Sequence, residues 1–147
     1  GLEIASATHV RIAEPSTIFQ LPEGRRGIFV GGGATQRVGR ILGADRMTEM
    51  MLTGRKYGSE DGLSLGLAHY ACGEGEALGM AQELAGKIAS NAPMSNYMIV
   101  NSIPHAANMA SEDALYAESL AAALSQTTED AAEGLRAFLE KRRPVFR

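Results

Sequence analysis

The chain is short of cysteine, carries no basic excess and contains no long apolar run, and each shortage removes a class of protein. Cys72 is the single cysteine, so no internal disulfide can form and a reducing compartment fits. Fourteen Lys and Arg against seventeen Asp and Glu leave a formal charge of −3, whereas nucleic-acid-binding domains usually show a clear basic surplus. The one basic cluster is the tail Lys141-Arg142-Arg143. No apolar stretch approaches the ~18 residues of a membrane span, and no signal-peptide pattern opens the sequence. His9, His69 and His105 lack metal-ligand spacing, and one cysteine beside them makes no zinc pattern. No metal, nucleic acid or membrane is therefore expected, and cytoplasmic is the default location. An initiator methionine is also missing, and Leu2 to Ala7 reads as the interior of a helix with no cap before it. The expectation is a fragment or processed product of a longer protein; the alternative is a cleaved tag.

What remains is the composition of an ordinary globular domain: 147 residues, 45% hydrophobic and 21% charged. Residues 2–8 look helical. Alternation predicts a strand over His9–Ala13 and a second over Thr17–Leu21, with Pro15-Ser16 turning between them. A helix from Thr35 to Leu42 stops at Gly43, and a Met-rich helix from Ala44 to Thr53 stops at Gly54. Met47, Met50 and Met51 at helical spacing read as adaptable core. Ser59 reads as the hydroxyl cap of another helix, Ala68–Cys72 as a strand, and Gly75–Ser90 as a long amphipathic helix.

After Asn91-Ala92-Pro93 the sequence reads as helix alone. Pro104 should kink or break the first of these helices, Ser111 should cap the second, and Thr127 with Asp130 resembles a capping box for the last. Leu115, Leu120 and Leu124, then Leu135, Phe138 and Leu139, form apolar stripes that need a surface to pack on, and a neighbouring subunit is a good candidate. The expected organisation is an α/β part over residues 1–90 and a helical oligomerisation region over 91–147.

Two carboxylates stand out. Glu3 lies in Gly1-Leu2-Glu3-Ile4-Ala5, among small and apolar neighbours, and Glu23 follows Pro22 at the end of the second expected strand. Taken singly, each reads as solvated surface or structure; taken together, they can divide acid and base duties on one water. Directly after Glu23 comes Gly27-Ile28-Phe29-Val30-Gly31-Gly32-Gly33-Ala34-Thr35-Gln36-Arg37. Its glycines permit positive φ and close approach, and the N–H groups of the following helix could face an anion or a polarised water. No Lys-Ser or Lys-Thr follows, so it is no Walker loop, and its spacing does not fit the dinucleotide fingerprint. Arg25 and Arg26 could attract phosphate, but adjacent loop arginines are usually just solvated.

Together these stretches resemble the crotonase family of enoyl-CoA hydratases and isomerases. The likeness runs from Gly1-Leu2-Glu3-Ile4-Ala5 through Phe19–Glu23, Gly27–Arg37 and Met50–Arg55 to Phe138-Leu139-Glu140-Lys141-Arg142-Arg143-Pro144-Val145-Phe146. It implies a spiral of β-β-α units, of which this chain holds the later turns, followed by a helical region that builds homotrimers, often paired into hexamers. The early turns, much of the acyl-CoA site and the first oxyanion-hole N–H would lie in an upstream segment. The second N–H would come from the glycine tract that Gly1 closes.

The implied reaction belongs to fatty-acid metabolism: syn addition of water to a trans-2-enoyl-CoA, giving a 3-hydroxyacyl-CoA, with the thioester as substrate and no cofactor. By resemblance, Glu3 chiefly activates water, Glu23 chiefly protonates the α-carbon, and the backbone at Gly31 helps orient the water. Two nearby carboxyls titrate as a pair, so that division describes a model of the pair. Members with both carboxylates are usually hydratases; a Δ3-Δ2-enoyl-CoA isomerase needing only Glu23, or a non-catalytic assembly module, are the alternatives. Two positions depart from the family pattern. His9 stands where an Asp is usual, and Ala34 where Gly is frequent, an added methyl expected to reshape the acyl pocket subtly.

Overall fold

Val38, Leu42, Met47 and Met50 set the centre of the fold on a pair of helices, α2 (Ala34–Leu42) and α3 (Ala44–Thr53). Each helix ends at a glycine, Gly43 and Gly54, and each buries one face only. The computed structural model describes residues 1–147, which divide into a unit of Gly1–Gln82 and a unit of Glu83–Arg147.

In the first unit, helix α1 (Leu2–Ala5) leads to strand β1 (Ile12–Ala13), then α2, α3, α4 (Ser59–Ser64) and strand β2 (Tyr70–Ala71). The two strands pair in parallel, Ile12 with Tyr70 and Ala13 with Ala71. Phe19, Leu21, Tyr57 and Leu67 close the core around the helix pair. Helices dominate this unit, and its sheet is limited to these two strands.

The expected strand over Thr17–Leu21 is not formed. Phe19 makes a single antiparallel bridge with Tyr57, its N–H and C=O both paired at 2.9 and 3.0 Å. Its side chain turns inward against Gly62, leaving no room there for a Cβ, and Pro22 stops the extended run. Glu23 therefore opens a 3-10 turn (Glu23–Arg26) rather than closing a strand.

Arg11 joins the pieces. Its backbone N–H donates to His69 Nδ1 at 3.1 Å, and its guanidinium donates to the carbonyls of Leu67, Gly66 and Thr8 at 2.7, 3.1 and 2.9 Å. One cation thereby satisfies three carbonyls that helix and strand ladders leave unpaired. Desolvation, then the Arg11 charge, holds the His69 imidazole below its ordinary pKa.

Helix α5 (Ala77–Ala89) crosses the division between the units. Its first N–H, on Ala77, is received by Glu14 Oε1 at 2.9 Å, a cap supplied from the far side of β1. The second unit holds α6 (Pro93–Ala106), α7 (Ser111–Gln126) and α8 (Glu129–Leu139). Pro104 does not break α6. It stands third from the end, so the missing N–H removes a bond from one carbonyl only, and Asn108 Nδ2 donates to Pro104 O at 2.8 Å beyond it.

The caps fall one residue away from their expected places. Ser59 and Ser111 are first helical residues behind Gly58 and Ala110, and no side chain caps either helix. Thr128, not Thr127, caps α8 by accepting from Ala131 N at 3.1 Å, while the Thr127 hydroxyl closes α7 by donating to Leu124 O at 2.7 Å. Leu115, Leu120, Leu124, Leu135, Phe138 and Leu139 are all exposed, so the stripes present apolar surface outward. No helix is long and apolar enough to cross a membrane.

The tail folds back on α8. Arg142 grips Glu133 with two parallel bonds of 2.6 and 2.9 Å, Val145 N donates to the same carboxylate at 3.1 Å, and Arg147 N donates to Asp130 at 3.0 Å. The Arg142 bonds, then the Val145 N–H, hold the Glu133 carboxyl down at about 2.

Two outcomes follow from these contacts. Replacing Arg11 with Met strands three carbonyls, and urea unfolding of the protein should show a loss of about 3 kcal/mol, with Arg11→Lys intermediate. Because the folded pKa of Glu133 lies below its unfolded value, tail docking contributes fully above pH 4.5 and is lost as pH falls through about 2. The Val145 amide shift should therefore titrate with that low midpoint in NMR, and Arg142→Met should move the midpoint up toward 4.5.

Candidate active site

Helix α2 begins without a side chain of its own to cap it: its N-cap is Gly33, held at φ 91°. That positive φ curls the Gly31-Gly32-Gly33 loop so that the N–H groups of Gly32 and Ala34 face one point. Glu3 occupies the point. Its Oε1 accepts from Gly32 N at 2.7 Å and from Ala34 N at 3.3 Å, although 29 and 31 residues separate the partners. The anion that the glycine loop faces is thus a carboxylate of the same chain, at the positive end of a helix dipole.

The loop is gripped from the other side by Arg37, whose guanidinium donates to the Gly32 carbonyl and packs on Gly33. Any Cβ at Gly32 would lie 3.0 Å from the Glu3 carboxyl carbon, so this glycine is the condition of the contact. A Cβ at Gly31 would meet nothing within 4 Å, which leaves that residue open beside the carboxylate. With Oε1 committed to two N–H groups, Oε2 is the oxygen left for other work.

Glu23 is held differently. Its backbone carbonyl accepts from Ile28 N at 3.2 Å, closing the turn, while its side-chain Oε2 is shut away from solvent with no hydrogen-bond partner. No hydrogen bond joins Glu23 to Glu3; the two are presented by separate segments. Next to the turn lies an apolar cavity of about 340 Å³, lined by Gly24, Ile28, Phe29, Met47, Met51 and Leu52. Ala34 is fully buried in the core and is not among the residues that line this cavity.

Cys72 and the histidines stand apart from this arrangement. The Cys72 thiol lies 3.8 Å from the Ala13 carbonyl, and desolvation, then Glu14, Glu76 and Glu74, push its pKa up. No group of three His, Cys, Asp or Glu side chains is placed to hold a metal ion. Sequence reasoning missed Arg37 and left Arg25 as solvated surface. A usable signal was present for Arg37: a cation in the opening of a helix opposes the dipole and needs another reason to be there.

Comparison with known proteins agrees with the fold. A family model described as enoyl-CoA hydratase/isomerase matches residues 1–147. The chain is 33% identical over 143 residues to the short-chain-enoyl-CoA hydratase of Clostridium acetobutylicum, covering 97% of this chain and 55% of that protein. It is 33% identical over 150 residues to the human mitochondrial enoyl-CoA hydratase domain-containing protein 2, covering 99% of this chain and 51% of that one. Among solved structures, the enoyl-CoA hydratase of Bacillus anthracis superposes with a TM-score of 0.94 at 33% identity, covering 99% of this chain and 57% of that one. The chain spans about half the length of the relatives it matches.

The Glu3 contact separates two effects that a single variant would confuse. Glu3→Gln keeps an oxygen for the two N–H groups, so its thermal stability should stay near that of the parent. Glu3→Ala uncaps α2 and should cost about 1 kcal/mol. Gly32→Ala drives a methyl against the carboxyl and should cost at least as much in the same melting experiment.

Proposed function

Because this chain belongs to the enoyl-CoA hydratase/isomerase family, we propose that it carries the acid–base pair of an enoyl-CoA hydratase, formed by Glu3 and Glu23. The observation that carries the reading is the anchoring of Glu3: a carboxylate fixed through one oxygen by Gly32 and Ala34 keeps its other oxygen out of those bonds. A general base needs that combination of rigidity and one open lone pair.

The substrate is a trans-2-enoyl thioester of coenzyme A. Water gives a proton to Glu3 as its oxygen bonds to the β-carbon. The π electrons of the C=C bond move toward the α-carbon and thioester oxygen, and Glu23 delivers a proton to the α-carbon. The sum is H and OH added across the double bond, and proton exchange resets the two carboxyls. Gly31, open beside Glu3, leaves backbone within reach of the water. The apolar cavity that starts at Gly24, one residue after Glu23, suits an acyl chain. Each hydrogen-bond donor to the thioester oxygen typically supplies about 3 kcal/mol of transition-state stabilisation. The exposed apolar stripes of α7 and α8 are the surfaces on which copies of the chain associate, as trimers or hexamers.

Hydration of crotonyl-CoA by the full-length protein is the test. Glu3→Gln and Glu23→Gln should each lower kcat by about 10²- to 10⁴-fold. Loss at Glu23 alone, with turnover of a 3-enoyl-CoA, would make the protein an isomerase. Undiminished turnover in both variants, or none in the parent, would remove the proposal in favour of an assembly module.

A further inference from the structure

Glu3 is aimed by bonds to its carboxylate, but Glu23 has none: its buried Oε2 is without a partner. Whatever fixes Glu23 must therefore act through its backbone. That backbone is the short 3-10 turn Glu23–Arg26, which is too small to be rigid by itself.

Two side chains on either side of Glu23 tie the turn to one place, the C-terminal end of α3. Gln20 Nε2 donates to the Gly54 carbonyl at 2.6 Å, and Arg25 Nη2 donates to the Thr53 carbonyl. These are among the carbonyls that a helix end leaves without partners, where the dipole favours a cation. Between the two tethers, Gly24 lies against the same helix, a Cβ there falling 2.9 Å from the Met51 carbonyl. Gly54 itself, at φ 68°, lies under the Arg25 guanidinium.

We propose that Arg25 and Gln20 form a clamp that positions Glu23 for proton transfer, making both positioning residues. The proposal rests on the reading of Glu23 as the acid of the pair. Arg25 is thereby assigned to a carbonyl and not to phosphate. The geometry divides the labour: Glu3 is held directly, Glu23 through a strap pinned to α3 at both sides of it. A displacement near 1 Å at a reacting group is enough for a rate loss of about a hundredfold.

The experiment compares variants of the full-length protein on crotonyl-CoA. Arg25→Met should lower kcat tenfold to a hundredfold with KM nearly unchanged, Gln20→Leu should do so less, and Arg25→Lys should recover part of the loss. The deciding measurement is a double-mutant cycle with Glu23→Gln. If the clamp acts through Glu23, Arg25→Met costs little further kcat in that background. An equal loss in both backgrounds, or a fall in melting temperature with kcat per folded site intact, would overturn the clamp while leaving Glu23 catalytic. Full activity of Glu23→Gln alone would instead overturn the underlying function.

Discussion

A carboxylate at the start of a helix holds the first unit in register. Glu3 belongs to a four-residue helix that has little claim to stability alone, and α2 has no capping side chain of its own. Each supplies what the other lacks: α2 offers converging N–H groups, and Glu3 offers the charge they need. The bond bridges 29 residues, so the intervening strand, bridge and 3-10 turn are folded between two fixed ends. The glycine loop is bare for the same reason, since any side chain at Gly32 would displace the carboxyl.

The same unit treats its two glutamates in opposite ways. One is oriented by hydrogen bonds made to its carboxylate; the other sits on a short turn with a buried, unpaired oxygen. A group tied at one oxygen keeps a fixed direction through a reaction cycle. A group left free at its carboxyl can take up and release a proton without breaking a protein hydrogen bond, provided that its backbone stays still. On the proposed reading of Glu3 as base and Glu23 as acid, the two kinds of support match the different demands of those roles.

Much of this was legible from residue types and spacing. The ends of α3 at Ala44 and Thr53 coincide with the sequence expectation, because Gly43 and Gly54 punctuate an unambiguous helical period. Met47 and Met50 read as core, and they are buried. Errors gathered where local and tertiary signals compete. Thr17–Leu21 has a strand's composition, but Phe19 is claimed by the core against Gly62 and Pro22 follows too soon. Thr127 and Thr128 are equivalent caps by composition, and the end of α7 decides between them. The partnership of Glu3 with Gly32, and that of Arg25 with Thr53, join residues far apart in the chain. No periodicity encodes such pairs; the family likeness pointed to Glu3, and nothing pointed to Arg25.

The folded-back tail has a kinetic meaning. Its fastenings span only nine, twelve and seventeen residues, from Glu133 to Arg142, from Glu133 to Val145 and from Asp130 to Arg147. Loops that short close at small entropic cost and on submicrosecond times. The tail can therefore settle as soon as α8 exists, before any distant contact is made. It then pins the first turns of α8 through Asp130 and Glu133, so that this helix is braced by the residues that follow it.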